Sequence, residues 1–137
     1  MAVWGIGAYF LADKPEDIPE DHADDFCKYG VAVLGYTKEQ KPDYYALMKN
    51  MKVGDLIYIK TRFMADKPLK VKAIGIITNA EILPKDALPG KEGVDVRWLK
   101  NFVTDPIEIE SKPSSNSVRT IFEEKNDEVI REIISYL

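Results

Sequence analysis

The side chains that could carry nucleophilic or metal chemistry are few in this sequence. Cys27 is the only cysteine and His22 the only histidine among 137 residues. A zinc site takes about three or four nitrogen, sulfur or carboxylate ligands at set spacings, so the sequence predicts no metal and no cofactor. Cys27 and His22 are five positions apart on a predicted helix, which does not place them on one face. We therefore expect no Cys–His catalytic pair.

Carboxylates are plentiful, but none shows a recognisable acid/base spacing. The sequence contains no G-x-S-x-G elbow, no P-loop, no H-E-x-x-H and no G-x-G-x-x-G in a βαβ unit. This pattern favours binding over catalysis and leaves an enzyme as an open alternative.

Charge is distributed unevenly along the chain, whose formal net charge is −4. The segment 13–25 carries seven acids against one lysine, and the segment 49–72 carries seven bases against two acids, a local excess of +5. Net negative charge disfavours strong nonspecific nucleic-acid binding, yet a partner can still respond to a local basic patch. The acidic segment is expected to be solvated, or to lie beside the basic residues and screen them.

Four of those bases are predicted to lie on one hairpin. Lys60 and Arg62 share a face of one strand, and Lys70 and Lys72 share a face of the next, with a turn at 65–68. Like charges on neighbouring strands are mildly destabilising, which suggests a polyanion as partner; a solvated outer face is the alternative. Arg119 is a further candidate for anion binding, or an ordinary surface residue.

The apolar periodicity predicts a single α+β domain over residues 1–137. We expect a small, curved, partly closed mixed β-sheet or β-barrel with about three packed helices. No apolar run is long enough for a membrane span, no signal peptide is expected, and we expect a cytoplasmic protein. The predicted elements are strands at Val3–Phe10, Val31–Tyr36, Leu56–Thr61, Val71–Thr78, Val94–Trp98 and 107–109, helices at Pro19–Tyr29, from Pro42 and from an Asn126 cap, a loop at Asp13–Ile18, and an ambiguous segment at Arg119–Phe122.

One part of the chain resembles a known family. A helix leads into Met51-Lys52-Val53-Gly54-Asp55 and a strand, followed by Gly75-Ile76 on the next strand and Val94-Asp95-Val96 on a later one. This order is similar to the EVE branch of the PUA-like superfamily, which also contains YTH and ASCH domains and the readers of modification-dependent restriction systems. Trp4 and the Gly30-Val31 step resemble further EVE positions. The sequence departs from that pattern at Lys60-Thr61-Arg62, where EVE chains usually carry an aromatic residue, a histidine and a serine.

The resemblance implies a recognition module that holds a nucleobase, modified or not, beside a basic hairpin. Base recognition needs an apolar or aromatic slot, partners for the base edge and cations for phosphate. For both tryptophans, packing in the hydrophobic core is the alternative to ligand binding. The ligand-binding candidates are Trp4, Gly30, Val31, Tyr36, Thr61 and Trp98, and the candidates for nucleic-acid backbone contact are Lys60, Arg62, Lys70, Lys72 and Arg119.

Two other functions stay open on the sequence alone. The negative net charge fits a protein-interaction subunit or regulator that works with a partner chain. The resemblance to ASCH domains implies an enzyme acting on RNA or a nucleotide. No membrane partner is expected.

Overall fold

The computed structural model describes residues 1–10, 19–62, 64, 66–113 and 115–137. It shows an α+β fold with a mixed sheet of seven strands, three α-helices and a separate two-stranded ribbon. The elements are β1 (Val3–Gly7), β2 (Tyr9–Phe10), β3 (Glu20–Asp21), α1 (Ala23–Tyr29), β4 (Val31–Leu34), α2 (Pro42–Met48), β5 (Leu56–Thr61), β6 (Lys70–Pro84), β7 (Glu92–Asn101), β8 (Ile107–Glu108), a 3-10 turn (Ser115–Val118), β9 (Ile121–Glu123) and α3 (Asp127–Ser135).

The main sheet runs in the order β4-β7-β6-β5-β1-β9, and β8 pairs with the start of β6. β1 and β5 are parallel, and the other neighbouring strands are antiparallel. The α+β class and the mixed sheet are therefore confirmed. The sheet is open rather than partly closed, because β4 pairs with β7 and β9 with β1, and within the described residues no pairing joins β4 to β9.

Both faces of the sheet are buried, as the apolar residues on both sides of the predicted strands require. Trp4 and Ile57 belong to the larger apolar cluster, which α1 and α2 also enter. Val3 and Tyr58, their neighbours along the strands, belong to a second cluster that α3 enters. This alternation follows from the period of two along a strand. Within the described ranges, no helix has the length and apolar character needed to cross a bilayer.

The helix ends show where local signals decide the structure. Gly30 ends α1 in the left-handed conformation, with φ of 66°. The Asn126 side chain accepts hydrogen bonds from the backbone amides of Glu128 and Val129, at 2.9 and 3.4 Å, and so caps α3. Both predictions are confirmed.

Other predicted boundaries are wrong because tertiary pairing overrides local preference. The predicted helix from Pro19 begins only at Ala23, since Glu20–Asp21 pairs with Tyr9–Phe10 as a short ribbon. The first strand breaks at Ala8, whose carbonyl accepts a hydrogen bond from the His22 amide at 2.7 Å. The predicted loop at Asp13–Ile18 lies outside the described residues.

Asp55 connects the turn before β5 to the start of β1. Its carboxylate accepts hydrogen bonds from the Trp4 indole at 3.0 Å, the Ala2 amide at 3.1 Å and the Lys52 amide at 3.0 Å. Gly54 makes the turn possible with φ of 94°. Burial raises the pKa of Asp55, whereas these hydrogen bonds and the N-terminal charge lower it. The lowering effects together are larger, so the pKa lies below its ordinary value. The ionised carboxylate thus holds the register of β1 against β5.

Replacing Asp55 with Ala should lower the free energy of unfolding by about 3 kcal/mol, because three hydrogen bonds to a charged acceptor disappear together. Urea unfolding followed by circular dichroism measures this. Asp105→Ala, at an exposed turn aspartate, is the matched control and should change stability by less than about 0.5 kcal/mol. Equal stability of the two variants would contradict the assigned role.

Candidate functional site

A cleft opens where β1 and β5 end. Parallel strands end at the same edge of a sheet, and Gly7 is paired with Lys60 there. The β2–β3 ribbon and the segment before β9 complete the walls, leaving a volume of about 60 Å³. The cleft is lined by Gly7, Ala8, Tyr9, Asp21, Lys60, Thr61, Lys72, Val118 and Thr120.

Lys60 is the buried cation of this cleft, with an exposed fraction of 5%. Its ammonium lies 3.4 Å from the Arg62 carbonyl oxygen, and no carboxylate in the described part of the chain pairs with it. Burial lowers the pKa of Lys60 to about 8, and the Arg62 charge contributes. A Cβ on Gly7 would lie 3.6 Å from the Lys60 Cε atom, so glycine keeps the space beside the lysine open.

The cleft walls carry a balanced ion pair and several hydroxyl groups. The Lys72 ammonium is paired with the Asp21 carboxylate, so one member of the acidic segment does screen the basic hairpin. Asp13, Glu16 and Asp17 of the acidic segment lie outside the described residues. Thr61 and Thr120 are half-buried and Tyr9 is exposed. Because Asp21 offsets the charge of Lys72, Lys60 supplies the positive charge that a ligand in the cleft would contact.

Arg62 does not face the solvent; it is buried and makes hydrogen bonds within the protein. Its guanidinium is buried and donates hydrogen bonds to the Ser117 hydroxyl and, at 2.9 Å, to the Lys67 carbonyl. These contacts join the β5–β6 hairpin to the 3-10 turn. Lys70 is exposed at the start of β6. The four bases of the predicted hairpin thus have four different environments.

The aromatic candidates are not gathered around the cleft. Trp4 is 1% exposed and belongs to the larger apolar cluster, in agreement with its alternative core role. Trp98 is half-buried on β7 and donates its indole hydrogen to the Val31 carbonyl at 3.2 Å. Val31 is buried, and Gly30 forms the helix end beside it. Trp98, Val31 and Gly30 contribute to the packing of β4 against β7. None of these three residues, nor Trp4, lines the cleft.

Tyr36 and Arg119 are brought to one exposed surface by Tyr44. The Tyr36 and Tyr44 rings meet edge to face at 5.8 Å, and the Arg119 guanidinium lies 5.8 Å from the Tyr44 ring. On α2, Tyr45 is buried, and Tyr44 is half-buried and packs against the larger apolar cluster.

Sequence reasoning missed most of the cleft. Tyr9 and Thr120 carried no motif, because distant segments bring them together, and Asp21 was predicted only as one residue of the acidic segment. Gly7 did carry a signal, since glycine inside a strand often marks close approach by backbone or ligand. The three cleft residues predicted from the sequence are Lys60, Thr61 and Lys72.

Cys27 and His22 lie in different local environments. Burial raises the pKa of Cys27 to about 11, with a further contribution from Asp24, so the thiol stays protonated at neutral pH. His22 stacks on Phe10 at 4.5 Å, and its Nδ1 lies 3.1 Å from Asp25. The described ranges hold no group of three or more His, Cys, Asp or Glu residues arranged to bind a metal ion.

Comparison of the sequence with models of protein families finds no match, and comparison with curated proteins finds no significant relative. The resemblance to PUA-like domains therefore stays a prediction.

The Lys60 ammonium is buried and pairs with no carboxylate among the described residues, which predicts that it destabilises the protein. Lys60→Met keeps an unbranched side chain of nearly the same length and removes the charge, and should raise the free energy of unfolding at pH 7 by about 1 to 3 kcal/mol. The pKa of Lys60 is lowered by folding, so the cost is present below pH 8 and fades as the pH rises toward the ordinary lysine value. Urea unfolding at pH 7 and at high pH measures both effects. A destabilised Lys60→Met protein would instead assign Lys60 a structural role.

Proposed function

We propose that this protein is a nucleic-acid-binding recognition module, and that its cleft receives a polar group of one nucleotide. The observation that carries the proposal is the buried Lys60 ammonium, which has no carboxylate partner among the described residues. A buried cation is costly unless an acceptor meets it. A phosphate oxygen or a carbonyl at the edge of a base is such an acceptor.

The size and shape of the cleft support a part of a nucleotide as the ligand. A volume of about 60 Å³ admits a compact polar group and leaves the rest of the nucleotide outside. Tyr9 lies exposed at this opening and offers a ring against which a base can stack. Thr61 and Thr120 add hydroxyls that can donate to or accept from a base edge.

We also propose that the chain has the PUA-like, EVE-type architecture and works in the cytoplasm. The roles of its motif residues support the first point. Gly54 and Asp55 form the turn before β5. A Cβ on Gly75 would lie 2.6 Å from a Val96 methyl, so glycine permits the close approach of β7. A lone cysteine fits a reducing compartment.

The test is binding of labelled single- and double-stranded oligonucleotides, with natural and modified bases, at low and physiological salt. Lys60→Gln should weaken binding by about 10- to 100-fold, because a charge-assisted hydrogen bond is lost. Gly7→Ala should also weaken binding, since its methyl narrows the cleft beside Lys60 while keeping the charge. Fluorescence anisotropy measures each affinity.

Lys100→Gln is the control for charge, because Lys100 is an exposed lysine on β7 outside the cleft. It should bind as the unmodified protein does. If Lys60→Gln and Gly7→Ala both retained full affinity, the cleft would not be the binding site. If no oligonucleotide bound at low salt, the nucleic-acid proposal would fail.

An enzyme acting on RNA or a nucleotide is the second candidate, and the lowered pKa of Lys60 favours it. A lysine with a pKa of about 8 is partly neutral near physiological pH and can then act as a base or nucleophile. The same residue would serve binding in its charged form and catalysis in its neutral form.

The two candidates respond to pH in opposite directions. Binding that needs the ammonium should weaken as the pH rises through about 8, and catalysis that needs the free amine should increase over that range. Affinity and turnover of an RNA and nucleotide panel, measured from pH 6.5 to pH 9.5, distinguish them. Turnover that rises with pH and disappears in Lys60→Gln would establish the enzyme. Affinity that is independent of pH would contradict binding through the Lys60 charge.

A further inference from the structure

Two tyrosines and two cations form a cluster outside the cleft, in which Tyr36 and Arg119 are exposed and Lys41 and Tyr44 are half-buried. The Lys41 ammonium lies 5.7 Å from the centre of the Tyr36 ring and 5.5 Å from that of Tyr44. Arg119 approaches Tyr44 at 5.8 Å. We call these four residues, Tyr36, Lys41, Tyr44 and Arg119, the tyrosine platform.

The backbone that carries the platform is held by its own hydrogen bonds. The Tyr45 hydroxyl donates to the Tyr36 carbonyl at 2.8 Å. The Gln40 side chain accepts from the Thr37 amide at 2.9 Å, and the Thr37 hydroxyl accepts from the Gln40 amide at 3.2 Å. A ligand would therefore meet rings that are already in place, which lowers the entropic cost of binding.

The platform remains open to solvent and keeps positive charge. The exposed fraction of Tyr36 is 38%, and that of the Arg119 side chain is 45%. Arg119 has one ion pair, at 3.4 Å to the exposed Asp43. Lys41 has no carboxylate partner within the described residues. This charge is of the sign that attracts phosphate, on a protein whose net charge is negative.

The segment before β9 joins the platform to the cleft. Val118 and Thr120 line the cleft, while Arg119 between them contacts Tyr44 on the platform. Arg119 also lines a groove of about 340 Å³. Its other lining residues are Leu47, Asn116, Phe122, Glu123 and Lys125. An extended chain that leaves the cleft can thus pass over the platform and enter the groove.

We infer that the tyrosine platform binds an unpaired base of single-stranded nucleic acid, next to the nucleotide whose polar group enters the cleft. This inference rests on the proposed function and names the class of partner as a single strand. Bases stack on aromatic side chains without needing a fixed sequence. Lys41 and Arg119 lie where they can contact the flanking phosphates, and a paired base would not expose its face.

Photo-cross-linking tests the platform directly. A single-stranded oligonucleotide containing iodouracil, irradiated with the purified protein, should form adducts with Tyr36 or Tyr44 that mass spectrometry of the digest locates. Because the platform lies outside the cleft, the same adducts should form with Lys60→Gln at saturating oligonucleotide.

The affinity of matched variants provides the second measurement. Tyr44→Ala should weaken binding of the single strand by about 5- to 100-fold, the range expected for loss of one stacked base. Tyr44→Phe keeps the ring and should retain most of the affinity. Tyr29→Ala is the control, because Tyr29 is an exposed tyrosine with a lysine 5.2 Å from its ring on another surface, and it should bind normally. Thermal unfolding verifies that each variant is folded.

The outcomes separate the platform from the cleft. Adducts at Tyr36 or Tyr44, with full affinity in Lys60→Gln and Gly7→Ala, would support the platform and reject the cleft. Loss of affinity in those two variants, with no tyrosine adducts and normal binding by Tyr44→Ala, would overturn the platform and leave the cleft. If no adduct formed at either tyrosine and no single strand bound, the platform inference would be wrong. Titration with a free mononucleotide would then report on the cleft alone.

Discussion

The parallel pairing of β1 with β5 is the constraint on which the candidate site depends. Asp55 fixes that pairing from one end, since its carboxylate bonds Trp4 on β1 and the turn that leads into β5. With the register set there, Gly7 and Lys60 must meet at the opposite end. If β1 and β5 were antiparallel, the start of one strand would lie beside the end of the other, and their ends would not meet. A stability element at one end of the sheet thus determines the geometry of a cleft at the other.

The cleft holds a buried ammonium, that of Lys60, whose charge opposes folding. Lys60 loses hydration on folding and gains one carbonyl contact at 3.4 Å in return. Arg62 is buried nearby and raises the cost further, although its own donors reach Ser117 and Lys67. A methionine at position 60 would fit the same place with less electrostatic penalty. Such conflicts between stability and local charge are typical of sites that await a ligand.

The sequence predicted elements best where the deciding interaction is local. Gly30 and Asn126 end and begin helices through their own backbone or side-chain geometry. The start of α1 was predicted too early because Glu20 and Asp21 pair with β2. This pairing joins separate segments of the chain, so no local sequence pattern indicates it. Lys60 was identified as a candidate, but the cleft around it includes Gly7 and Thr120, which come from other parts of the chain. Periodicity alone also cannot choose between adjacent tyrosines on α2.

A net negative charge is compatible with nucleic-acid binding if a few cations lie at the binding surface and the other cations near them are paired with carboxylates. Asp21 offsets Lys72 at the cleft wall, and Asp43 partly offsets Arg119 on the platform. The described cations without a carboxylate partner there are Lys60, which is buried, and Lys41, which lies against two rings. Neither is a freely solvated charge. The proposed binding therefore calls for weak attraction to polyanions in general, with affinity from a base and a polar group that fit both places, an arrangement that favours selectivity over general attraction.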